Sequence, residues 1–234
     1  MKRGENSVIK ELKLLKNEEK AIILKRFFKT GKGEYGEGGV FWGIQVPLLK
    51  RIAATHINDG LDAVEKLLGS EVHEVRFTAL QILVNKYEKT PSERDDVYKI
   101  YLRNTKRINN WDLVDCSCYK IAGEHLLKRK RNILYSLAKS ENLWERRISI
   151  VSTFRFIQNR EHEDTLKISE LLLEDKHDLM HKAVGWMLRE VGKRVGQDKE
   201  ELFLKKHYKK MPRTMLRYSI EHFPKELKKF YMKK

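Results

Sequence analysis

The stretch Glu74-Val-Arg-Phe-Thr-Ala-Leu80 carries the pattern that decides the fold. A basic residue, Arg76, stands at the start of an apolar segment, and three later stretches begin in the same way. Their basic residues are Arg147, Lys182 and Arg217. The intervals between the four positions are 71, 35 and 35 residues, and half of the longest falls on Trp111, which opens its own apolar segment. The sequence therefore repeats a unit of about 35 residues five times, a length that suits a pair of helices.

Helical periodicity fills these units. In Ala63-Val64-x-x-Leu67-Leu68, for example, apolar residues recur at helical spacings. Four prolines and 13 glycines leave little room for a many-turned β protein, and 41% hydrophobic residues suffice for a sizeable core. One helix pair cannot bury its apolar face alone, whereas stacked pairs form a continuous core. We therefore predict an all-α fold, a curved α-solenoid that forms a single domain over residues 1–234, with a helical N-terminal cap and a glycine-rich loop at about residues 31–43.

The charge balance points to a polyanionic partner. Lysine and arginine outnumber acidic residues by 49 to 33, which gives a formal net charge of +16. Solubility or an anionic membrane surface would also fit this charge. No apolar run approaches the roughly 18 residues of a membrane span, and the N-terminus lacks the apolar core of a secretion signal. Cys116 and Cys118 lie two apart on a predicted helix and are poorly placed to pair, so we expect a cytoplasmic protein with reduced thiols.

Equivalent positions of stacked repeats line one face. The five positions predicted to form a row are Arg76, Trp111, Arg147, Lys182 and Arg217. Cations along such a row fit a phosphate backbone. They could instead be solvated residues at helix starts, but a cation there opposes the helix dipole, and its repetition suggests a use.

The unit around Trp111 departs from the pattern. Trp111 and Asp115 are four residues apart and therefore share one helical face. Other units place Leu80, Val151 and Trp186 where this unit has Asp115. A carboxylate would repel phosphate in a purely DNA-binding groove, so Asp115 beside an aromatic residue indicates an active site. The alternative is that Asp115 pairs with Arg147 of the next repeat as a structural ion pair.

Four motifs in this order resemble those of the AlkD-type family of DNA alkylation repair proteins, which are built of HEAT-like repeats. They are Gly33-Glu-Tyr35-Gly-Glu-Gly with Phe41-Trp-Gly43-Ile-Gln-Val-Pro47, Asn110-Trp111-Asp-Leu-Val-Asp115, Leu143-Trp144-Glu-Arg-Arg147, and Lys182-Ala-Val-Gly-Trp186-Met-Leu-Arg189-Glu. The resemblance spans roughly residues 20–220. It implies that Asp115 is catalytic, that Trp111 and Trp186 are the paired active-site tryptophans, and that Arg147 binds phosphate. It also implies that the damaged nucleotide is processed without being extruded into a pocket, unlike in most glycosylases.

The resemblance implies a monofunctional alkylpurine DNA glycosylase that acts on 3-methyladenine and 7-methylguanine in double-stranded DNA. It would work near the nucleoid, and we expect a monomer. No lysine stands beside Trp111 and Asp115 within their unit, which favours hydrolysis without strand cleavage. No His or Cys cluster has the spacing of a metal site, and no cofactor is indicated.

Three alternatives stay open from the sequence. Tyr35 in the glycine-rich loop is a candidate DNA contact or a packing residue, because it does not stand at the distance from the Phe-x-Gly-Ile stretch that some family members show. The protein could be a catalytically silent relative that binds branched or damaged DNA. It could also be a HEAT-like scaffold that binds acidic proteins, although that hypothesis leaves Asp115 and its aromatic neighbours unexplained.

Overall fold

The computed structural model describes residues 5–233. Within this range the chain is helical, and β-type pairing is restricted to one isolated bridge between Val40 and Val72. The predicted all-α class is therefore confirmed. No helix in the described range is long and apolar enough to cross a membrane. The contacts divide the chain into two compact units, one that ends at Ile121 and one that begins at Ala122, while the prediction of a single domain stays untested.

The first unit is organised around one long, buried helix. Its helices are α1 (Glu5–Lys13), α2 (Glu18–Phe27), α3 (Val46–Thr55), α4 (Leu61–Leu68), α5 (His73–Lys89), α6 (Arg94–Arg103) and α7 (Trp111–Asp115). Helices α3, α4 and α6 pack against α5. Helix α5 is consequently buried on nearly every side, including its polar residues His73, Glu74 and Arg76. Helix α2, in contrast, has no buried residue.

The second unit repeats this arrangement around α13. Its helices are α8 (Glu124–Leu126), α9 (Asn132–Ala138), α10 (Leu143–Ser152), α11 (Phe154–Gln158), α12 (Glu163–Leu171), α13 (Asp178–Arg194), α14 (Gln197–His207), α15 (Arg213–Ser219) and α16 (Lys225–Met232). Helix α9 packs on α10, and α13 packs against α10, α12, α14 and α15. Pairs of helices that pack against each other in this way are the building blocks of helical-repeat proteins.

Hydrogen bonds give the true register of the repeat and correct the prediction. Arg76 Nη1 donates to the carbonyls of Ser70 and Glu71, both at 2.8 Å. Arg146 Nη1 makes the same contacts with Ser140 and Glu141, at 2.9 and 2.8 Å. Arg76 therefore corresponds to Arg146, and not to Arg147 as we predicted.

Helix positions agree with this correction. Arg147, Lys182 and Arg217 are each the fifth residue of their helix, whereas the fifth residue of α5 is Phe77. The prediction was wrong by one residue because Arg146 and Arg147 are adjacent, and only contacts with the preceding loop distinguish them. The 35-residue period itself is retained, since 77, 147, 182 and 217 are separated by multiples of 35.

The start of α5 holds the segment between α2 and α3. The Glu74 carboxylate, 1% exposed, accepts the backbone N–H groups of Trp42, Gly43 and Ile44 at 3.0, 2.7 and 3.2 Å. Gly43 has a φ of +77°, and a Cβ there would lie 2.0 Å from the carbonyl oxygen of Asn17. Only glycine can occupy this position without strain. The motif Phe41-Trp-Gly43-Ile is thus explained by its fit to Glu74 and α2.

Candidate active site

A cavity of about 630 Å³ lies in the first unit, between α2, α3, α5 and α7. Its wall is predominantly apolar, with contributions from Ile23, Phe27, Val46, Leu49 and Phe77. The acidic and basic side chains in the wall are those of Lys20, Lys50, His73, Glu74, Asp112 and Asp115. An apolar cavity with a few convergent charged groups is the usual form of a small-ligand or reaction site.

Trp111 and Asp115 both line this cavity. Helix α7 begins at Trp111 because the Asn110 side chain accepts the backbone N–H of Trp111 at 2.8 Å and caps the helix. Asp115 follows one turn later and is partly buried. The sequence-based pairing of these residues on one helical face agrees with their common position, while their chemical roles stay a prediction.

Five aromatic rings meet at one end of the cavity. Trp111 lies 5.4 Å from Phe28 and 5.8 Å from Phe27, measured between ring centroids. Phe28 stacks on Phe41 at 5.1 Å, and both rings contact His73 at 4.9 and 4.6 Å. Phe27 is 60% exposed although it lies at the edge of this cluster. An exposed aromatic ring beside a cavity is available to a ligand. Phe27 was not predicted from the sequence, because the residues of α2 show no unusual spacing.

His73 and Asp112 form a polar pair in the cavity wall. His73 Nε2 lies 2.8 Å from Asp112 Oδ2, and the two side chains are 5% and 15% exposed. The other oxygen, Oδ1, accepts the backbone N–H of Leu113 at 2.9 Å. Asp112 stands in the motif that carries the family resemblance, but no local signal connects it with a histidine 39 residues away.

Two lysines reach the cavity from other helices. Lys20 comes from α2 and Lys50 from α3, and both side chains are exposed. The sequence-based statement that no lysine stands beside Trp111 and Asp115 holds within their own repeat. It fails in three dimensions, because folding brings α2 and α3 to the same cavity.

Cys116 lines the same cavity as Asp112 and Asp115. Burial, and then the charges of Asp112 and Asp115, raise the pKa of this thiol. A thiol that stays protonated is a weak nucleophile, so Cys116 contributes to the wall rather than to covalent chemistry.

The cations of the predicted row differ sharply in exposure. Arg76 is 7% exposed, and its guanidinium also donates to Asn109 Oδ1 at 3.0 Å. Both terminal nitrogens of the guanidinium thus donate to protein acceptors, which favours a structural role, although a DNA contact stays a prediction. Arg147 is 5% exposed and donates to the Leu179 carbonyl at 2.6 Å, Lys182 pairs with Asp178 at 2.7 Å, and Arg217 is exposed.

Comparison with known families decides the identity of the chain. Residues 8–223 match the model of the family described as DNA alkylation repair enzyme. The chain belongs to this family. The predicted resemblance is thereby confirmed at the level of the family, and with it a role in DNA alkylation repair. No match is found among curated proteins.

A solved structure shares the fold of this DNA alkylation repair family member. It is a protein described as a predicted DNA alkylation repair enzyme from Enterococcus faecalis. The TM-score is 0.70 at 18% sequence identity, and the match covers 90% of this chain and 97% of the other. At this identity the likeness establishes the helical fold alone.

The remaining predicted site residues of the family member have defined surroundings. Trp186 lies on α13, partly buried, with its ring 5.8 Å from that of Phe154. The Tyr35 hydroxyl donates to the Phe27 carbonyl at 3.5 Å, which favours the packing interpretation, although a DNA contact stays a prediction. Among the residues that the structure describes, no group of three His, Cys, Asp or Glu side chains is placed to hold a metal ion.

Proposed function

We propose that the protein is a monofunctional alkylpurine DNA glycosylase. It excises positively charged purines such as 3-methyladenine and 7-methylguanine from double-stranded DNA by hydrolysis of the N-glycosidic bond, as the first step of base excision repair. Membership of the DNA alkylation repair family supports the pathway. The observation that carries the finer assignment is Asp115, a carboxylate beside Trp111 in the wall of a largely apolar cavity.

The chemistry of the substrate explains why one carboxylate can suffice. Alkylation at N3 of adenine or N7 of guanine leaves a positive charge on the base, which makes the base a good leaving group. The remaining barrier is the positive charge that develops on the deoxyribose as the bond breaks. A fixed carboxylate stabilises that charge and can orient the attacking water. The indole face of Trp111 would attract the same cation. Trp186, on α13, is proposed as the second active-site tryptophan.

The cations near the site have a role in holding phosphates. Lys20 and Lys50 line the cavity as exposed side chains. The lysine ammonium group is a common phosphate binder, and we propose this role for both side chains. Hydrolysis without a lyase step is part of the proposal and is tested by whether the strand is cut without alkali. On the second unit, Arg147, Lys182 and Arg217 are the proposed phosphate contacts, and Arg217 is the exposed member of the three.

The proposal is tested by incubating the protein with duplex DNA that carries a single 7-methylguanine. The expected products are free 7-methylguanine, detected by chromatography, and an abasic strand that is cut only after treatment with alkali. A strand cut without alkali would overturn the monofunctional assignment. Tight binding of the duplex without base release would instead support a catalytically silent DNA-binding protein. We propose that the protein acts as a monomer at the nucleoid.

A further inference from the structure

We propose that His73 is a positioning residue that orients α7, and with it Trp111 and Asp115, through its bond to Asp112. The inference rests on the proposed glycosylase function and adds a residue outside the motifs of the sequence analysis. The bond joins His73 Nε2 and Asp112 Oδ2 at 2.8 Å and connects the start of α5 with the start of α7.

The length of α7 explains why such an anchor is needed. This helix contains five residues, little more than one turn. A single turn has too few internal hydrogen bonds to hold its own orientation. Its orientation is therefore set by the contacts of its side chains. Since Trp111 precedes Asp112 directly and Asp115 follows one turn later, any rotation of α7 about its axis moves both proposed active-site groups together.

His73 is itself held firmly. Its side chain is 5% exposed, and its ring lies against those of Phe28 and Phe41. Its backbone N–H donates to the Val40 carbonyl at 2.9 Å. Phe28 also contacts Trp111, so the imidazole supports α7 by two routes, a hydrogen bond to Asp112 and a ring stack behind Trp111. His73 thereby connects α7 with the buried helix α5.

The bond between His73 and Asp112 also gives the two carboxylates of α7, Asp112 and Asp115, different roles. The charged groups that share the cavity with His73 are Asp112 and Asp115 from α7, Glu74 from α5, Lys20 from α2 and Lys50 from α3. Glu74 is occupied by backbone N–H groups, and Asp112 by His73 and Leu113. The bonds to His73 and to the backbone N–H of Leu113 thus commit Asp112 to holding α7, while Asp115 is the carboxylate proposed to stabilise the sugar cation.

Two substitutions separate the ring from the hydrogen bond. His73→Phe keeps the ring stack and removes the bond and the charge. We expect single-turnover excision of 7-methylguanine at saturating enzyme to fall by about 10- to 100-fold, because misplaced groups lose rate steeply. The affinity for DNA should stay within about twofold. The double variant His73→Phe/Asp112→Asn should excise no more slowly than His73→Phe alone, because the bond between the two side chains is already lost.

His56 provides a matched control. It is a fully buried histidine of the same unit, paired with Asp59 at 2.7 Å and Glu11 at 3.1 Å, and it does not line the cavity. His56→Phe should lower the melting temperature and leave the excision rate of the folded protein within about twofold of the wild-type rate. If His73→Phe behaves in the same way, or excises within twofold of the wild-type rate, the positioning role is overturned.

A spectroscopic measurement keeps the inference testable apart from the proposed function. The near-ultraviolet circular dichroism of Trp111 is obtained as the difference between a protein and its Trp111→Phe variant, which removes the signals of the other tryptophans. This difference spectrum should change when His73→Phe is introduced and stay constant when His56→Phe is introduced. An unchanged spectrum would overturn the inference, whereas absence of excision by the wild-type protein would overturn the proposed function alone.

Discussion

Replacing Asp115 with asparagine tests the proposed chemistry most directly, because the change keeps the shape of the side chain and removes its charge. The cavity around Asp115 is predominantly apolar, so its charge is less screened than it would be in bulk water. A carboxylate about 4 Å from the developing sugar cation, at an effective dielectric constant of about 20, stabilises the transition state by roughly 4 kcal/mol. If this attraction is absent from the ground state, it corresponds to about three orders of magnitude in rate.

The assay for Asp115→Asn is single-turnover release of 7-methylguanine at saturating enzyme, together with DNA affinity and a melting curve. We expect the rate to fall by about 10³-fold. DNA affinity should hold or rise, because an anion leaves a site that faces phosphates. Asp96→Asn is the matched control, since Asp96 lies on α6 with its side chain 62% exposed and pairs with Lys99. A stable Asp115→Asn protein that excises at nearly the wild-type rate would show that the catalytic group lies elsewhere.

Three further predictions follow from charge and burial. If four to six phosphates are neutralised, the logarithm of the DNA association constant should fall with the logarithm of salt concentration with a slope of about −4 to −5. Arg217→Ala should reduce the magnitude of this slope by about 1. An affinity independent of salt would favour a scaffold that binds acidic proteins. Arg76→Ala should lower the melting temperature and leave the salt slope unchanged, since its guanidinium binds loop carbonyls; an altered slope with unchanged stability would restore a DNA contact. Burial, and then the charge of Glu201, raise the pKa of Glu200 from 4.5 to about 9. Because the folded protein binds this proton more tightly than the unfolded chain, the free energy of unfolding should decline as pH rises from about 4.5 to about 9. Glu200→Gln should flatten this decline in a urea-unfolding series, and an unchanged slope would contradict it.

The sequence by itself determined the features that depend on residues close together in the chain. Helical spacing and the scarcity of glycine and proline predicted an all-α protein. The pairing of Trp111 with Asp115 follows from a separation of four residues, which any helix places on one face. The four motifs, taken together in their order and spacing, predicted the DNA alkylation repair family, and the family match over residues 8–223 confirms it.

Only the tertiary structure decided which of these residues face one another. Arg76 and Arg147 look equivalent in sequence. In the structure, however, Arg76 and Arg146 donate equivalent hydrogen bonds to the carbonyls of the preceding loop, so the register differs by one residue. His73 meets Asp112 across 39 residues, and Lys50 reaches the same cavity from α3. The reason is physical: periodicity records only which side of a helix is apolar, whereas contacts between helices depend on how their faces pack. Burial and the acceptors Ser70, Glu71 and Asn109 then indicate a structural role for Arg76 that its sequence pattern did not show.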